Sequence, residues 1–181
     1  MEEKYTRGEF WNAAGMLGLM LGLISCAYFA VSNLMGGGTD KVALAMLISV
    51  VSLILWIAKF VGCIYVMKSG MRKFADAHKD VDNSDTFRFG AAAALLSAIL
   101  YSGAYLLFVT VINPDLFTEA MQLAVEQYAS IDPSISESLE QVGGKLPQIS
   151  FFANLIYCTI FGTILSAILS RNIPSQNPFE S

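Results

Sequence analysis

Charged residues are scarce in this sequence, and acidic residues are absent from its longest apolar stretches. Only 14% of the residues are charged and 55% are hydrophobic, whereas an ordinary soluble domain has about 25% charged residues. The apolar stretches lie at about residues 10–35, 42–67, 89–112 and 149–170, and none contains Asp or Glu. Each is long enough to cross a hydrocarbon core of ~30 Å, which needs roughly 20 helical residues. The scarcity of charge therefore predicts a polytopic membrane protein.

Cysteine and histidine are also rare, and this excludes several kinds of site. The three cysteines, Cys26, Cys63 and Cys158, lie in three different apolar stretches, so they indicate neither a disulfide framework nor a CxxC redox centre. The only histidine, His78, has no Cys partner for a zinc site. We therefore predict no metal site, no cofactor and no catalytic residue, and expect a protein that is not an enzyme. The net charge of −4 gives no indication of a nucleic-acid partner.

The basic residues are distributed unevenly between the connections, and this predicts an orientation. One side of the membrane would hold eight of the 11 Lys and Arg residues: Lys4, Arg7, Lys68, Arg72, Lys73, Lys79, Arg88 and Arg171. The other side would hold only Lys41 and Lys145. Because short basic loops stay in the cytoplasm, we predict that both termini are cytoplasmic. The hydrophilic connection at about residues 68–88 is expected on the same side.

The pattern along the chain predicts an all-α fold. A glycine-rich turn joins the first two spans as an antiparallel hairpin. After the third span, Asn113-Pro114 begins an acidic outer segment, residues 114–148, in which apolar residues recur at helical spacing. We predict two short amphipathic helices there, over the outer mouth of the bundle or on the lipid interface. Residues 1–181 would form a single membrane domain, an antiparallel four-transmembrane-helix bundle.

Small residues recur every four positions in two of the spans. The first span has Gly18, Gly22, Cys26 and Ala30, and the fourth has Asn154, Cys158, Gly162, Ser166 and Ser170. Such faces allow a neighbouring helix backbone to approach closely. We therefore predict helix packing at Gly18, Gly22 and Gly162. The face on the first span would serve contacts within the monomer or between two copies in a homodimer.

Lys59 is the only strongly charged residue well inside a span. It precedes Lys68 by nine residues, or about 13 Å along a helix, which places it in the cytoplasmic half of the span. An ionisable residue at such a depth is a candidate functional site. The alternative is that its long side chain snorkels to the headgroups or donates to neighbouring helices. The candidate ligand-binding residues are Lys59, Tyr101 and Asn154, from the polar faces of three spans.

Several segments resemble the bacterial membrane-protein family called domain of unknown function 4199. They are Trp11 to Gly15, Tyr65 to Phe74, Phe87 to Gly90, Asn113 to Asp115, and Gly162 to Arg171. The resemblance covers about residues 10–172. It implies four transmembrane helices in a bacterial inner (cytoplasmic) membrane, and it transfers no catalytic residue, since the family has no assigned activity.

Three functional hypotheses follow from these observations, and the third, a membrane enzyme, has no catalytic motif in its favour. The first is a non-enzymatic, multi-pass integral membrane protein that acts through contacts with lipids, with a second copy as a homodimer, or with a partner membrane protein. The small-residue faces and the lack of a catalytic motif favour it. The second is a small transporter or a lipid- or ligand-binding membrane protein with a site near Lys59.

Overall fold

The computed structural model describes residues 5–35, 42–78, 81–115 and 142–173. Within them, all regular structure is helical, as predicted. The helices are α1 (Arg7–Met35), α2 (Val42–Ala77), α3 (Asn83–Leu107) and α4 (Leu146–Ser170), with a π-helical turn at Phe108–Ile112 after α3. Four helices in the described part of the chain are long and apolar enough to cross a membrane. The predicted polytopic membrane protein is thereby confirmed.

The chain divides into two compact units, and each is described by itself. The first comprises Met1–Tyr101 and Cys158–Ser181, and the second comprises Ser102–Tyr157. Since α3 and α4 each contribute to both, the proposal of a single membrane domain stays a prediction. The predicted outer amphipathic helices fall largely on residues 116–141, which lie outside the described residues.

Within the first unit, side-chain contacts establish the direction of each helix. Phe10 of α1 contacts Phe74 of α2, with ring centroids 5.9 Å apart, and Leu17 packs where Gly70 has no side chain. From the first contact to the second, the residue numbers rise along α1 and fall along α2, so these two helices are antiparallel.

The other two helices continue the alternation. A Cβ at Gly18 would meet Ala93, and one at Gly22 would meet Leu100, so α3 runs parallel to α1. The Ser166 hydroxyl of α4 donates a hydrogen bond to the Phe87 carbonyl at 2.9 Å. Since Gly162 lies against Ala94 further along α3, α4 is antiparallel to α3. The four helices therefore alternate in direction, as predicted.

Glycines at these crossings allow the helices to approach closely. A Cβ at Gly18 would lie 2.8 Å from the carbonyl oxygen of Ala93, and one at Gly162 would lie 2.5 Å from the Cβ of Ala94. Real Cβ atoms do not come so near to other heavy atoms, so these positions accept no larger residue without movement of a helix. The Gly18 face of α1 thus meets α3 of the same chain.

The second helix is longer than predicted, and the second connection is correspondingly shorter. Helix α2 continues to Ala77 and α3 begins at Asn83. The prediction of a hydrophilic connection over about residues 68–88 is therefore wrong in its bounds. Only residues 78–82 connect the helices. Lys68, Arg72 and Lys73 lie on the last turns of α2 and are exposed. Charged side chains mark the point at which a helix leaves the membrane. They do not end the helix, because Lys and Arg are good helix formers and can be solvated on its surface.

We call the end of the first unit that carries Lys68, Arg72 and Lys73 the basic end. Helices α1 and α3 begin there, and reciprocal hydrogen bonds cap both of them. Before α1, the Thr6 amide donates to the Glu9 carboxylate at 2.9 Å, and the Glu9 amide donates to the Thr6 hydroxyl at 3.2 Å. Before α3, the Asp85 amide donates to Asp82 Oδ1 at 2.7 Å, and the Asp82 amide donates to Asp85 Oδ2 at 3.4 Å. Both are capping boxes, which satisfy amides that have no partner within the helix.

An aromatic cluster lies at the same end of the first unit. It consists of Tyr5, Phe10, Phe74, His78 and Phe89. Phe74 and Phe89 stack with centroids 4.2 Å apart. The Tyr5 hydroxyl donates to Asp85 Oδ1 at 3.2 Å, so the residues before α1 are attached to the beginning of α3. We call this group the basic-end cluster.

In the second unit, α3 ends in a widened turn. The Asn113 amide donates to the Phe108 carbonyl at 2.8 Å, five residues back, which is the hydrogen bond of a π-helix. The Thr110 hydroxyl donates to the Leu106 carbonyl at 2.7 Å. Helix α4 begins with Leu146 and Pro147, where proline is tolerated because a first-turn amide has no partner in the helix.

Candidate functional site around Lys59

Lys59 lies on α2, and its ammonium is held between tyrosine rings from two other helices. The Nζ atom is 5.0 Å from the ring centroid of Tyr28 on α1 and 5.5 Å from that of Tyr101 on α3. All three residues are half-buried and belong to the first unit. We call Lys59, Tyr28 and Tyr101 the Lys59 site.

The two rings compensate for the removal of the ammonium from water. A charged residue at the centre of a membrane helix costs about 2.5–3.5 kcal/mol on insertion scales. A desolvated cation–π contact is worth about 2 kcal/mol, so two contacts are comparable with that cost. Among the described residues, no carboxylate is paired with Lys59. The positive charge is therefore stabilised without being neutralised.

A third aromatic side chain orders one of these rings. Phe29, the neighbour of Tyr28 on α1, meets the ring of Tyr101 edge to face, with centroids 6.1 Å apart and an angle of 89° between the planes. Such an arrangement places the positive edge of one ring against the negative face of the other. Helix α1 thus supplies both a ring for the cation and a contact that orients the second ring.

The three cysteines belong to the same unit as this site. Cys26 lies on α1, two residues before Tyr28; Cys63 lies on α2, one turn after Lys59; and Cys158 lies on α4. All three are free thiols and half-buried. Tyr28 of α1 and Tyr101 of α3 contact the Lys59 ammonium. Phe60, the next residue on α2, contacts Phe161 of α4 with ring centroids 5.7 Å apart. All four helices of the first unit therefore contribute residues at or beside Lys59.

The structure brings together two of the three predicted ligand-binding residues. Lys59 and Tyr101 are in contact, whereas Asn154 belongs to the second unit, where it is half-buried on α4. Tyr28 was missed because it lies off the small-residue ladder of the first span. Its only signal in the sequence is that a tyrosine occurs deep in an apolar stretch.

Within the described residues, no group of three or more His, Cys, Asp or Glu side chains is placed to hold a metal ion. His78 instead packs in the basic-end cluster. Its Nδ1 lies 2.9 Å from the Phe74 carbonyl, and its ring centroid lies 4.7 Å from that of Phe74. Through these contacts, His78 packs the end of α2 against the aromatic side chains of the cluster.

Residues 16–171 match the family described as Protein of unknown function (DUF4199). The match covers most of the chain. The chain belongs to this family. The resemblance read from the sequence is thereby confirmed. No curated protein and no solved structure matches the chain.

The DUF4199 match contains every residue of the Lys59 site and all three cysteines. It also contains Gly18, Gly22 and Gly162, at which the helices cross closely. Tyr5 and Phe10 of the basic-end cluster precede the matched residues. The cluster therefore joins residues outside the matched segment to the beginning of α3 inside it.

Proposed function

We propose that this chain is a non-enzymatic membrane protein that acts through contacts of its helices with lipids and with other membrane proteins. The observation that carries this proposal is the exposed apolar surface of α2. None of the residues in the most apolar 18-residue window of α2 is buried. The helix turns large side chains outward along most of its length, from Met46 to Tyr65.

The internal crossings support the same role. Small residues let α1, α3 and α4 pack closely within one chain, which leaves the large apolar side chains of α2 available to the membrane. In a bilayer, a lipid tail covers such a surface as well as a protein does, so association depends on close packing and polar contacts. Membrane lipids are the first proposed partner, and a second copy or another membrane protein is the second.

Crosslinking in native membranes tests this role. A photoreactive amino acid at Leu53, which is 57% exposed on α2, is compared with one at Leu23, which is 55% exposed on α1. We expect lipid adducts from both positions and, from position 53 alone, a discrete protein adduct as well, all identified by mass spectrometry. Lipid adducts alone from both positions would contradict a protein partner on α2.

A second candidate role is the binding of a lipid or another ligand at the Lys59 site. It is favoured by the specific observation that a membrane-embedded cation is held by two rings, with no carboxylate paired to it among the described residues. A structural lysine would be expected to tolerate replacement by Met, whereas a ligand-binding lysine would not. The two roles are compatible, because binding at Lys59 would leave most of the α2 surface unoccupied.

For localisation, we propose the bacterial inner membrane with both termini in the cytoplasm. Support comes from the exposed basic side chains Lys68, Arg72 and Lys73 at the end of α2 and from Arg88 and Arg171 on the adjoining ends of α3 and α4. Cytoplasmic loops carry such an excess of Lys and Arg.

A further inference from the structure

The first turn of α3 is attached to the residues that precede α1. The Asp85 carboxylate, which is buried, accepts a hydrogen bond from the Tyr5 hydroxyl at Oδ1 and one from the Asp82 amide at Oδ2. The second of these bonds belongs to the capping box of α3. Tyr5 is therefore held by the group that also caps α3, and this attachment requires an intact first turn.

The same turn is attached to the end of α4. With its amide nitrogen directed toward α4, Asn83 donates hydrogen bonds to the carbonyl oxygens of Ser170 at 3.2 Å and of Ile173 at 3.1 Å. The opposite orientation would place the amide oxygen against these two carbonyl oxygens. Because the last carbonyls of an α-helix have no partner within the helix, Asn83 caps α4 from a neighbouring helix.

One apolar core lies beneath both attachments. Ile173, which follows α4, and Val81, which precedes α3, are buried in the same cluster as Phe74 and Phe89, and Tyr5 packs against that cluster. Removing either attached segment would expose part of a core that the other segment also covers. Since burial of apolar surface is favourable, each segment stabilises the position of the other.

The attachments can open without unfolding the helix crossings. Asn83 is exposed and Tyr5 is half-buried, so water competes for their hydrogen bonds. At Gly18, by contrast, a Cβ would lie only 2.8 Å from the Ala93 carbonyl oxygen. Regions with water-exposed hydrogen bonds open locally at a lower free-energy cost than close-packed regions. The basic end is therefore the part of the first unit that can open while α1 and α3 stay packed.

We propose that the first turn of α3 is a clasp that holds the residues before α1 and the residues after α4, and that the two attachments open as one unit. Its two holding residues, Asn83 and Asp85, are two positions apart on α3. Detachment of one segment is thereby transmitted to the other across the basic end. The clasp is a conformational device that does not depend on the Lys59 site or on the exposed surface of α2.

Hydrogen–deuterium exchange of the full chain in detergent, followed by mass spectrometry, reports on both segments. A peptide containing Phe10 reports on the beginning of α1, where the Phe10 amide donates to the Thr6 carbonyl at 3.1 Å. A peptide containing Ile173 reports on the end of α4, where the Ile173 amide donates to the Ser170 carbonyl at 3.3 Å. The two peptides are distant in sequence, so a shared response measures their coupling.

Two variants each remove one attachment. Asn83→Ala should accelerate exchange in the Phe10 peptide as well as in the Ile173 peptide, and Tyr5→Phe should do the same from the other side. We expect about fivefold faster exchange in both peptides, which corresponds to about 1 kcal/mol for one hydrogen bond. The matched controls are Ser84→Ala, at the next exposed position of the same turn, and Tyr65→Phe, at an exposed position on α2. Both should exchange like the parent.

The outcomes separate a clasp from independent contacts. If either variant accelerates exchange only in its own segment, or in neither segment, the proposal is overturned. A peptide containing Gly18 should be unchanged, and equal acceleration there would indicate a general loss of stability and would also overturn the clasp. Circular dichroism and size-exclusion profiles show whether each variant is folded. If Asn83→Ala does not fold, Tyr5→Phe decides alone, through exchange in the Ile173 peptide.

Discussion

Gly18→Ala should destabilise the protein, because the structure leaves no room for a methyl group at this position. The new Cβ would lie 2.8 Å from the carbonyl oxygen of Ala93 and 2.8 Å from the Cβ of Leu96. Neither atom can rotate away, since one is backbone and the other is fixed to it. Helices α1 and α3 would have to separate by a few tenths of an ångström or more, and every contact along their crossing would weaken.

The expected size of the effect follows from two opposing contributions. Overpacking in a close-packed interior costs about 1–3 kcal/mol, whereas the better helix propensity of Ala offsets up to about 1 kcal/mol. The net loss should be about 1–2 kcal/mol. Gly15 is the matched control, because nothing lies within 4 Å of a Cβ at that position. Gly15→Ala should therefore be neutral or stabilising by up to about 1 kcal/mol.

Unfolding in mixed micelles of a mild detergent and SDS, followed by circular dichroism, measures both variants. We expect Gly18→Ala to unfold at a lower SDS fraction than the parent and Gly15→Ala to unfold at the same fraction or a higher one. Gly22→Ala should lie between them, since its closest contact, at 2.5 Å, is the terminal methyl of Leu100, which can move. Equal stability of Gly18→Ala and Gly15→Ala would refute the close crossing of α1 and α3.

Two further predictions concern the basic end. The first uses single cysteines at two exposed positions, Asp115→Cys and Ser84→Cys, in a protein without native cysteines. A membrane-impermeant thiol reagent applied from outside should label Asp115→Cys but not Ser84→Cys. The reverse pattern would contradict the proposed orientation. Tyr5→Phe should cost about 1 kcal/mol, because it removes the hydrogen bond to Asp85 while keeping the ring. Its control is Tyr65→Phe at a position that is 72% exposed, and equal unfolding of the two variants would show that the Tyr5 hydroxyl contributes nothing.

The spans could be predicted from sequence because the bilayer imposes length and apolarity directly on the chain. The extension of α2 from residue 67 to Ala77 could not, since hydropathy marks where a helix leaves the membrane and not where it ends. The small-residue ladder likewise identified a packing face at Gly18 and Gly22, but it carried no information on the partner. That partner is α3, which is distant in sequence.

The Lys59 site shows why side-chain partners are harder to predict than spans. A hairpin folded symmetrically about the midpoint between Met35 and Val42 would bring Tyr28 level with Ser49. The structure instead places Tyr28 against Lys59, ten residues further along α2. The register between two apolar helices depends on how their side chains interlock, and periodicity within each helix does not reveal it. Lys59 could thus be recognised as unusual, while Tyr28 could not.

The π-helical turn at Phe108–Ile112 bears on how relatives of this chain would be compared. A π-helical turn accommodates one residue more than the α-helical turn it replaces, so every later residue is rotated by about 100° about the helix axis relative to an uninterrupted α-helix. A relative whose third helix ends without this turn should align with a single-residue gap at 108–112. Such a gap would indicate that the relative lacks the inserted residue and not that its loop is shorter. In that relative, the residues aligned with Asn113-Pro114 would leave the helix in a different direction.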